Sequence, residues 1–75
     1  MNFIFHGMEG RSAGVEMEIG NLITYMITSG ARSTGILLGW EFSEITNIPV
    51  FTVLLESGRV DRINKAFIYW CEVIA

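Results

Sequence analysis

The sequence has few of the residues that usually support catalysis or covalent cross-linking. Its 75 residues include one cysteine, one histidine and one proline, and only 17% are charged. A lone cysteine cannot form an internal disulfide, which favours a cytoplasmic location over secretion. Cys71 lies in an apolar stretch typical of a small buried residue, and His6 is far from it in the sequence. We therefore predict no catalytic residues and no enzymatic activity.

Long apolar segments and ligand-binding motifs are also missing. A transmembrane helix needs about 20 consecutive apolar residues, whereas polar residues or glycine interrupt every apolar run here. The opening "MNFIFHGMEG" lacks the positive leader and the cleavage site of a secretion signal. No cysteine and histidine spacing suits zinc, and no glycine-rich stretch has the pattern of a phosphate-binding loop. We expect no membrane segment, no metal and no cofactor.

The charge balance argues against nucleic acid as the main partner. A net charge of −3 and a pI near 4.9 repel a phosphate backbone at long range. Nucleic-acid binding remains an alternative, which would be favoured if the basic side chains shared one face of the fold. These side chains are Arg11, Arg32, Arg59, Arg62 and Lys65.

Apolar residues, in contrast, are abundant, at 51% of the chain. A chain of this length buries only about 60% of the surface that its unfolded form exposes. Some apolar side chains should therefore remain outside, although soluble monomers seldom expose large apolar patches. The composition predicts self-association, as a homo-oligomer, or binding to another protein.

The clearest local pattern is a hairpin in "VFTVLLESGRVDRI", residues 50–63. Apolar and polar residues alternate before Ser57 and Gly58, and a glycine supplies the positive φ of a tight turn. Pro49 suits the start of a strand, because proline has no amide hydrogen to donate. Asn64, Lys65 and Ala66 interrupt the β-forming residues and predict a single 3₁₀ turn between two short strands.

Other segments leave alternatives open. "EMEIGNLITYMITSG", residues 16–30, fits both helical spacing and a β-prone strand. "ILLGWEF" predicts a strand in which Gly39 marks a bulge or a close backbone crossing. A helical stripe also runs towards the C-terminus, through Val60, Ile63, Phe67, Trp70 and Ile74. This stripe would give an α+β fold with a C-terminal helix, but the β-forming residues at the chain end favour strands.

The order of "IGNLITY", "GILLGWE", "VFTVLLESGRVDRI" and "CEVI" resembles the small SH3-like β-barrels, including KOW-type modules, of bacteria and tailed phages. The resemblance covers about residues 19–75. It implies an all-β fold, a five-stranded SH3-like antiparallel barrel at residues 15–75 preceded by an N-terminal arm at residues 1–14. "NFIF" in the arm is β-prone and predicts an added edge strand, or an element exchanged between subunits.

The expected barrel core consists of apolar residues spaced along these strands. It comprises Ile19, Ile23, Ile36, Leu38, Val53, Leu55, Ile63, Cys71 and Val73. Barrels of this type often bind extended peptides with aromatic side chains, and basic residues can lie beside them. The candidate binding residues are therefore Tyr25, Trp40, Phe42, Arg59 and Arg62, although these rings also suit a core or a subunit interface.

The sequence thus predicts a non-enzymatic protein-interaction or assembly module, an accessory protein of a phage or mobile element by the resemblance. Such a protein would act in the cytoplasm of a bacterial host. Its expected partner is a second copy of itself or another protein. The alternatives are a nucleic-acid-associated KOW-like module and a small inhibitor of a host enzyme.

Overall fold

The described part of the chain consists mostly of β-strands, seven in number, with one 3₁₀ turn. The computed structural model describes residues 2–7 and 14–75, so residues 8–13, most of the glycine-rich stretch that follows the first strand, lie outside the described residues. The strands are β1 (Asn2–Phe5), β2 (Val15–Glu18), β3 (Leu22–Ile27), β4 (Arg32–Phe42), β5 (Pro49–Leu55), β6 (Val60–Asn64) and β7 (Ile68–Val73). The 3₁₀ turn covers Lys65–Phe67. The predicted all-β class is confirmed for the described residues.

The strands form two antiparallel sheets. β1 pairs with β2, and a five-stranded sheet has the order β6-β5-β4-β3-β7. Neighbours in the larger sheet are mostly consecutive in sequence, as short turns require. The last strand, β7, crosses to the far edge and pairs with β3. The chain therefore brings its C-terminal strand back beside its central segment.

The hairpin at residues 50–63 is confirmed as β5 and β6. Val53 pairs with Asp61, and Leu54 pairs with Val60. The turn is closed by hydrogen bonds that the amides of Leu55 and Gly58 donate to the carbonyls of Arg59 and Leu55, and Gly58 has a φ of 89°. This left-handed conformation is accessible to glycine without steric cost.

The predicted 3₁₀ turn and strand start are also confirmed. Pro49 begins β5. The side chain of Asn64 accepts a hydrogen bond from the amide of Ala66 and so caps the turn at Lys65–Phe67. β7 follows directly. The alternative C-terminal helix is therefore wrong, because the capped turn ends after three residues and the chain resumes a strand.

The ambiguous segment at residues 16–30 consists of strands, not a helix. It divides at Gly20, whose φ of 97° produces a turn between β2 and β3. The Asn21 side chain fixes this turn by accepting a hydrogen bond from the Glu18 amide at 2.7 Å. β-branched and aromatic residues then continue as β3, where they pack on a pleated surface.

β4 contains the bulge that Gly39 predicts. Leu37 pairs with Val53 and Gly39 pairs with Thr52, so Leu38 is the extra residue on β4. A bulge of this kind reverses which residues of a strand face inward. Before it, Leu37 is fully buried. After it, Trp40 also faces inward. Leu37 and Trp40 are three residues apart, so without the bulge they would point to opposite faces of the strand.

The core prediction is partly wrong, and the inward-facing set on β4 accounts for two of its four errors, Ile36 and Leu38. Ile23, Val53 and Cys71 are buried as expected, and Leu55 and Ile63 pack against the core. Four other expected core residues are largely exposed: Ile19, Ile36, Leu38 and Val73. Three consecutive apolar residues on β4 give no alternation, so the sequence does not indicate which of them faces inward.

The first strand supplies part of the core. Phe5 is 0% exposed. The Phe5 and Phe3 rings both pack edge to face against the Phe51 ring. The distances between ring centroids are 6.5 Å for Phe5 and 5.0 Å for Phe3. On β2, Met17 is buried with its sulfur 3.5 Å from that of Cys71. The β1-β2 pair therefore packs on the inner face of the larger sheet.

Candidate functional site

Two of the five predicted binding residues lie in the interior. Tyr25 is 2% exposed and belongs to the core. Trp40 is half-buried against the core, with its ring 5.6 Å from that of Phe3. Tyr25 is thus part of the core cluster, and Trp40 packs against it.

The other three predicted residues are exposed. Phe42 is 58% exposed and lines a cleft of about 520 Å³ together with Arg62. Arg62 forms an ion pair with Glu41 in that cleft, and Arg59 forms one with Asp61. The structure therefore brings Phe42 and Arg62 together and leaves Arg59 apart, at the turn between β5 and β6.

A second cleft, of about 350 Å³, lies between β3 and β6. Its lining includes Tyr25, Ser33, Asp61 and Arg62. The Tyr25 hydroxyl is buried and makes no hydrogen bond of ordinary length and angle with the described residues. Burial raises the pKa of this hydroxyl, and a weak hydrogen-bonding interaction with the Ser33 side chain, outside that ordinary geometry, lowers it by a smaller amount. A buried hydroxyl without a partner is costly compared with a hydrogen atom in the same place.

Replacing Tyr25 with phenylalanine should therefore leave the protein as stable as before or more stable by up to about 1 kcal/mol. Because the pKa of Tyr25 is raised in the folded state, unfolded Tyr25 ionises near pH 10.0, the ordinary pKa of tyrosine, whereas folded Tyr25 ionises only at a higher pH. The natural protein then loses stability that the Tyr25→Phe variant keeps. Urea unfolding at pH 7 and at pH 10.5 measures both effects. A loss above 1 kcal/mol at pH 7 would show that the hydroxyl has a partner.

The two side chains best suited to catalysis, His6 and Cys71, are both held in structural positions. His6 Nδ1 accepts a hydrogen bond from the Gly14 amide at 3.2 Å. Cys71 is buried, and burial raises the pKa of its thiol to about 12, with a smaller contribution from Glu72. The reactive thiolate is therefore scarce near neutral pH.

The described part of the chain holds neither a metal-binding cluster of side chains nor a membrane-spanning helix. No group of three or more histidine, cysteine, aspartate or glutamate side chains there could hold a metal ion. Within residues 2–7 and 14–75, no helix has the length and apolar character needed to cross a membrane.

The four basic side chains in the described part of the chain each contact a carboxylate or an aromatic ring. Arg59 and Arg62 contact carboxylates. Arg32 lies over the Trp70 ring at 5.4 Å, and Lys65 lies over the Phe5 ring at 5.2 Å. Arg11 lies outside the described residues. Since ion pairing reduces the field that attracts a phosphate backbone, this arrangement gives little support to nucleic-acid binding.

The outer face of the five-stranded sheet carries an apolar row that the sequence reading missed. Leu22 pairs with Ile36, Ile36 with Leu54, and Leu54 with Val60. Directly paired residues share one face of a sheet, so these four aliphatic side chains lie side by side across four strands. We call this set the apolar row. Ile36 is 41% exposed and Val60 is 50% exposed.

A shallow cleft of about 350 Å³ opens beside this row. It is lined by Leu22, Thr34, Gly35, Ile36, Leu54, Leu55 and Glu56, and we call it the Gly35 cleft. Six of these seven residues are uncharged. The absence of a side chain at Gly35 brings the β5 backbone close: a Cβ there would lie 2.7 Å from Val53 Cγ1 and would overlap the Leu54 carbonyl oxygen. Because its lining consists mainly of the aliphatic side chains of Leu22, Ile36, Leu54 and Leu55, the cleft suits an apolar side chain.

The sequence contained one signal for this surface. "GILL" on β4 and "VLL" on β5 are uninterrupted apolar runs, and such runs have apolar side chains on both faces of their strands. One face packs in the core, so the remaining apolar side chains must lie on the other face.

Comparisons of the chain with family models, with curated proteins and with solved structures gave no match.

Proposed function

We propose that the protein is a non-enzymatic interaction module that assembles with copies of itself through the outer face of its larger sheet. The apolar row carries this proposal. Four adjacent aliphatic side chains on the outer face, next to an apolar cleft, are unusual for a surface that meets only water. Association removes such side chains from water, and fully burying one contributes about 1.5–3 kcal/mol.

We further propose that the two sheets form a small barrel of the SH3-like type. Three observations support it: the strand order β6-β5-β4-β3-β7, the bulge in the long strand β4, and the 3₁₀ turn that joins β6 to β7. The bulge bends β4, which lets one strand take part in both halves of a barrel. A domain of this size has a thin core, so contacts between subunits would add stability.

Substitution of Ile36 by aspartate tests the proposed surface. A charge in the middle of the apolar row would be buried without a partner in the assembly. We expect the Ile36→Asp variant to sediment as a monomer of about 8.4 kDa at concentrations where the natural chain is larger. Ile19→Asp is the matched control, because Ile19 is exposed but lies in the turn between β2 and β3.

Far-ultraviolet circular dichroism must show that both variants keep their strands. If Ile36→Asp does not fold, Ile36→Thr is the substitute, because threonine is polar and still favours strands. Retention of the full assembly by a folded Ile36 variant would contradict the proposal. So would a natural chain that sediments as a monomer at every concentration tested.

A further inference from the structure

The loop between β4 and β5 presents one fully exposed aliphatic side chain. Ile45 is 95% exposed, the highest value among the large hydrophobic residues in the described part of the chain. Ile45 belongs to the loop at residues 43–48 and lines the same cleft as Phe42 and the Glu41–Arg62 ion pair. An isoleucine in this position adds almost no hydrophobic stabilisation to the fold of its own chain, because almost none of its apolar surface is removed from water.

This loop is held in one conformation by hydrogen bonds. The Ser43 hydroxyl accepts from the amides of Ile45 and Thr46, both at 3.3 Å. The Ser43 amide donates to the Ile48 carbonyl, and the Asn47 amide donates to the Ser43 carbonyl. Asn47 adopts a φ of 56°, a conformation that asparagine tolerates better than most residues. Ile45 therefore projects from a preorganised loop, which lowers the entropy lost on binding.

The Gly35 cleft lies at the opposite end of the same hairpin. At about 3.4 Å per residue, the part of β4 from Ile36 to Phe42 spans roughly 20 Å. Ile45 lies beyond Phe42, so one chain cannot place Ile45 in its own cleft. A chain thus carries both an exposed aliphatic side chain and an apolar cleft that it cannot fill itself.

We propose that Ile45 of one copy enters the Gly35 cleft of a second copy. This inference rests on the proposed self-association and specifies its contact. The cleft presents aliphatic side chains from three strands, Leu22, Ile36 and Leu54, and its single charged lining residue is Glu56. A branched aliphatic side chain is complementary to such a lining. The contact joins two unlike surfaces, so it forms either twice in a two-fold dimer, with each loop in the other copy's cleft, or once per neighbour in a ring or a chain of subunits.

Mixing two defective variants tests this contact. Ile45→Asp removes the inserted side chain but keeps the cleft, whereas Ile36→Asp blocks the cleft but keeps the loop. Each variant alone should associate about tenfold or more weakly than the natural chain. An equimolar mixture should regain association, because the intact loop of the Ile36→Asp chain fits the intact cleft of the Ile45→Asp chain. Sedimentation of each variant and of the mixture measures this directly.

A cysteine cross-link gives a second readout that needs no charged substitution. We expect a mild oxidant to join Ile45→Cys chains to Leu54→Cys chains, and not to join Ile19→Cys chains to either. The natural Cys71 should stay unreacted because it is buried and its pKa is raised to about 12.

The outcomes separate this inference from the proposed function. If the natural chain associates and Ile36→Asp weakens association, but Ile45→Asp does not, the apolar row assembles copies without Ile45 and the inference is overturned. A mixture that stays monomeric, together with absence of the cross-link, overturns it as well. If the natural chain does not associate at all, both the inference and the proposed function fail.

Discussion

Replacement of Phe5 by alanine is expected to leave much of the protein unfolded at room temperature. Phe5 is 0% exposed, and its ring packs edge to face with that of Phe51. Removing a buried phenylalanine side chain costs about 3–5 kcal/mol. Small domains have a free energy of unfolding of only about 5 kcal/mol or somewhat more, so this single change removes most of the stability. Urea unfolding followed by tryptophan fluorescence measures the loss.

Ile4→Ala is the matched control for Phe5. Ile4 precedes Phe5 on the same strand, is also large and apolar, and is 47% exposed on the opposite face. Its replacement should cost less than about 1 kcal/mol. Equal losses from the two variants would show that β1 does not pack into the core. A further consequence is that deletion of residues 1–8 would unfold the chain, so such a deletion cannot report on assembly alone.

Replacement of Gly35 by alanine is the second change with a large expected effect. A Cβ at this position would overlap the Leu54 carbonyl oxygen and lie 2.7 Å from Val53 Cγ1. The nearest obstacle is backbone, so β4 and β5 must move apart where they pair. Overpacking of this kind costs about 1–3 kcal/mol and sometimes more. We expect a loss near 3 kcal/mol or above in the free energy of unfolding, measured by urea titration.

Gly39→Ala is the control for Gly35, because both glycines lie on β4. A Cβ at Gly39 would have no atom within 4 Å. The substitution should change stability by less than about 0.5 kcal/mol. A loss at Gly39 as large as that at Gly35 would mean that flexibility, and not the close approach of β5, determines the need for glycine in this strand.

The segments with strong local signals were predictable from the sequence. The β5–β6 hairpin has β-branched and aromatic residues before its turn and a glycine that adopts a positive φ in the turn. The turn after β6 has an asparagine that caps it. Pro49 marks the start of β5 for a reason of backbone chemistry alone. In these places a residue and its immediate neighbours determine the conformation, so no distant contact was needed.

The inward face of β4 was not predictable in the same way. Ile36, Leu37 and Leu38 are all apolar, and the bulge at Leu38 changes the inward set halfway along the strand. A slip of one residue moves every side chain of a strand to the other face. Pairing with β3 and β5 decides between the two arrangements, and that pairing is long-range. The misplacement of Ile36 in the core is also the reason that the apolar row was missed.

The aromatic residues were ambiguous for a similar reason. Tyr25 and Trp40 occur at positions that suit either a core or a groove, and sequence spacing does not distinguish the two. The partial burial of Trp40 depends on β1, where Phe3 contacts the Trp40 ring. β1 comes from the N-terminal arm, for which the sequence predicted an edge strand or an exchanged element but no part in the core.

The molar mass of the natural chain in solution tests the central claim most directly. Light scattering over a range of protein concentrations distinguishes one copy, at 8.4 kDa, from an assembly. Self-association through the outer face predicts a mass that rises to a multiple of this value as the concentration increases. A mass that stays at 8.4 kDa across the whole range, with the strands intact by circular dichroism, would contradict the account.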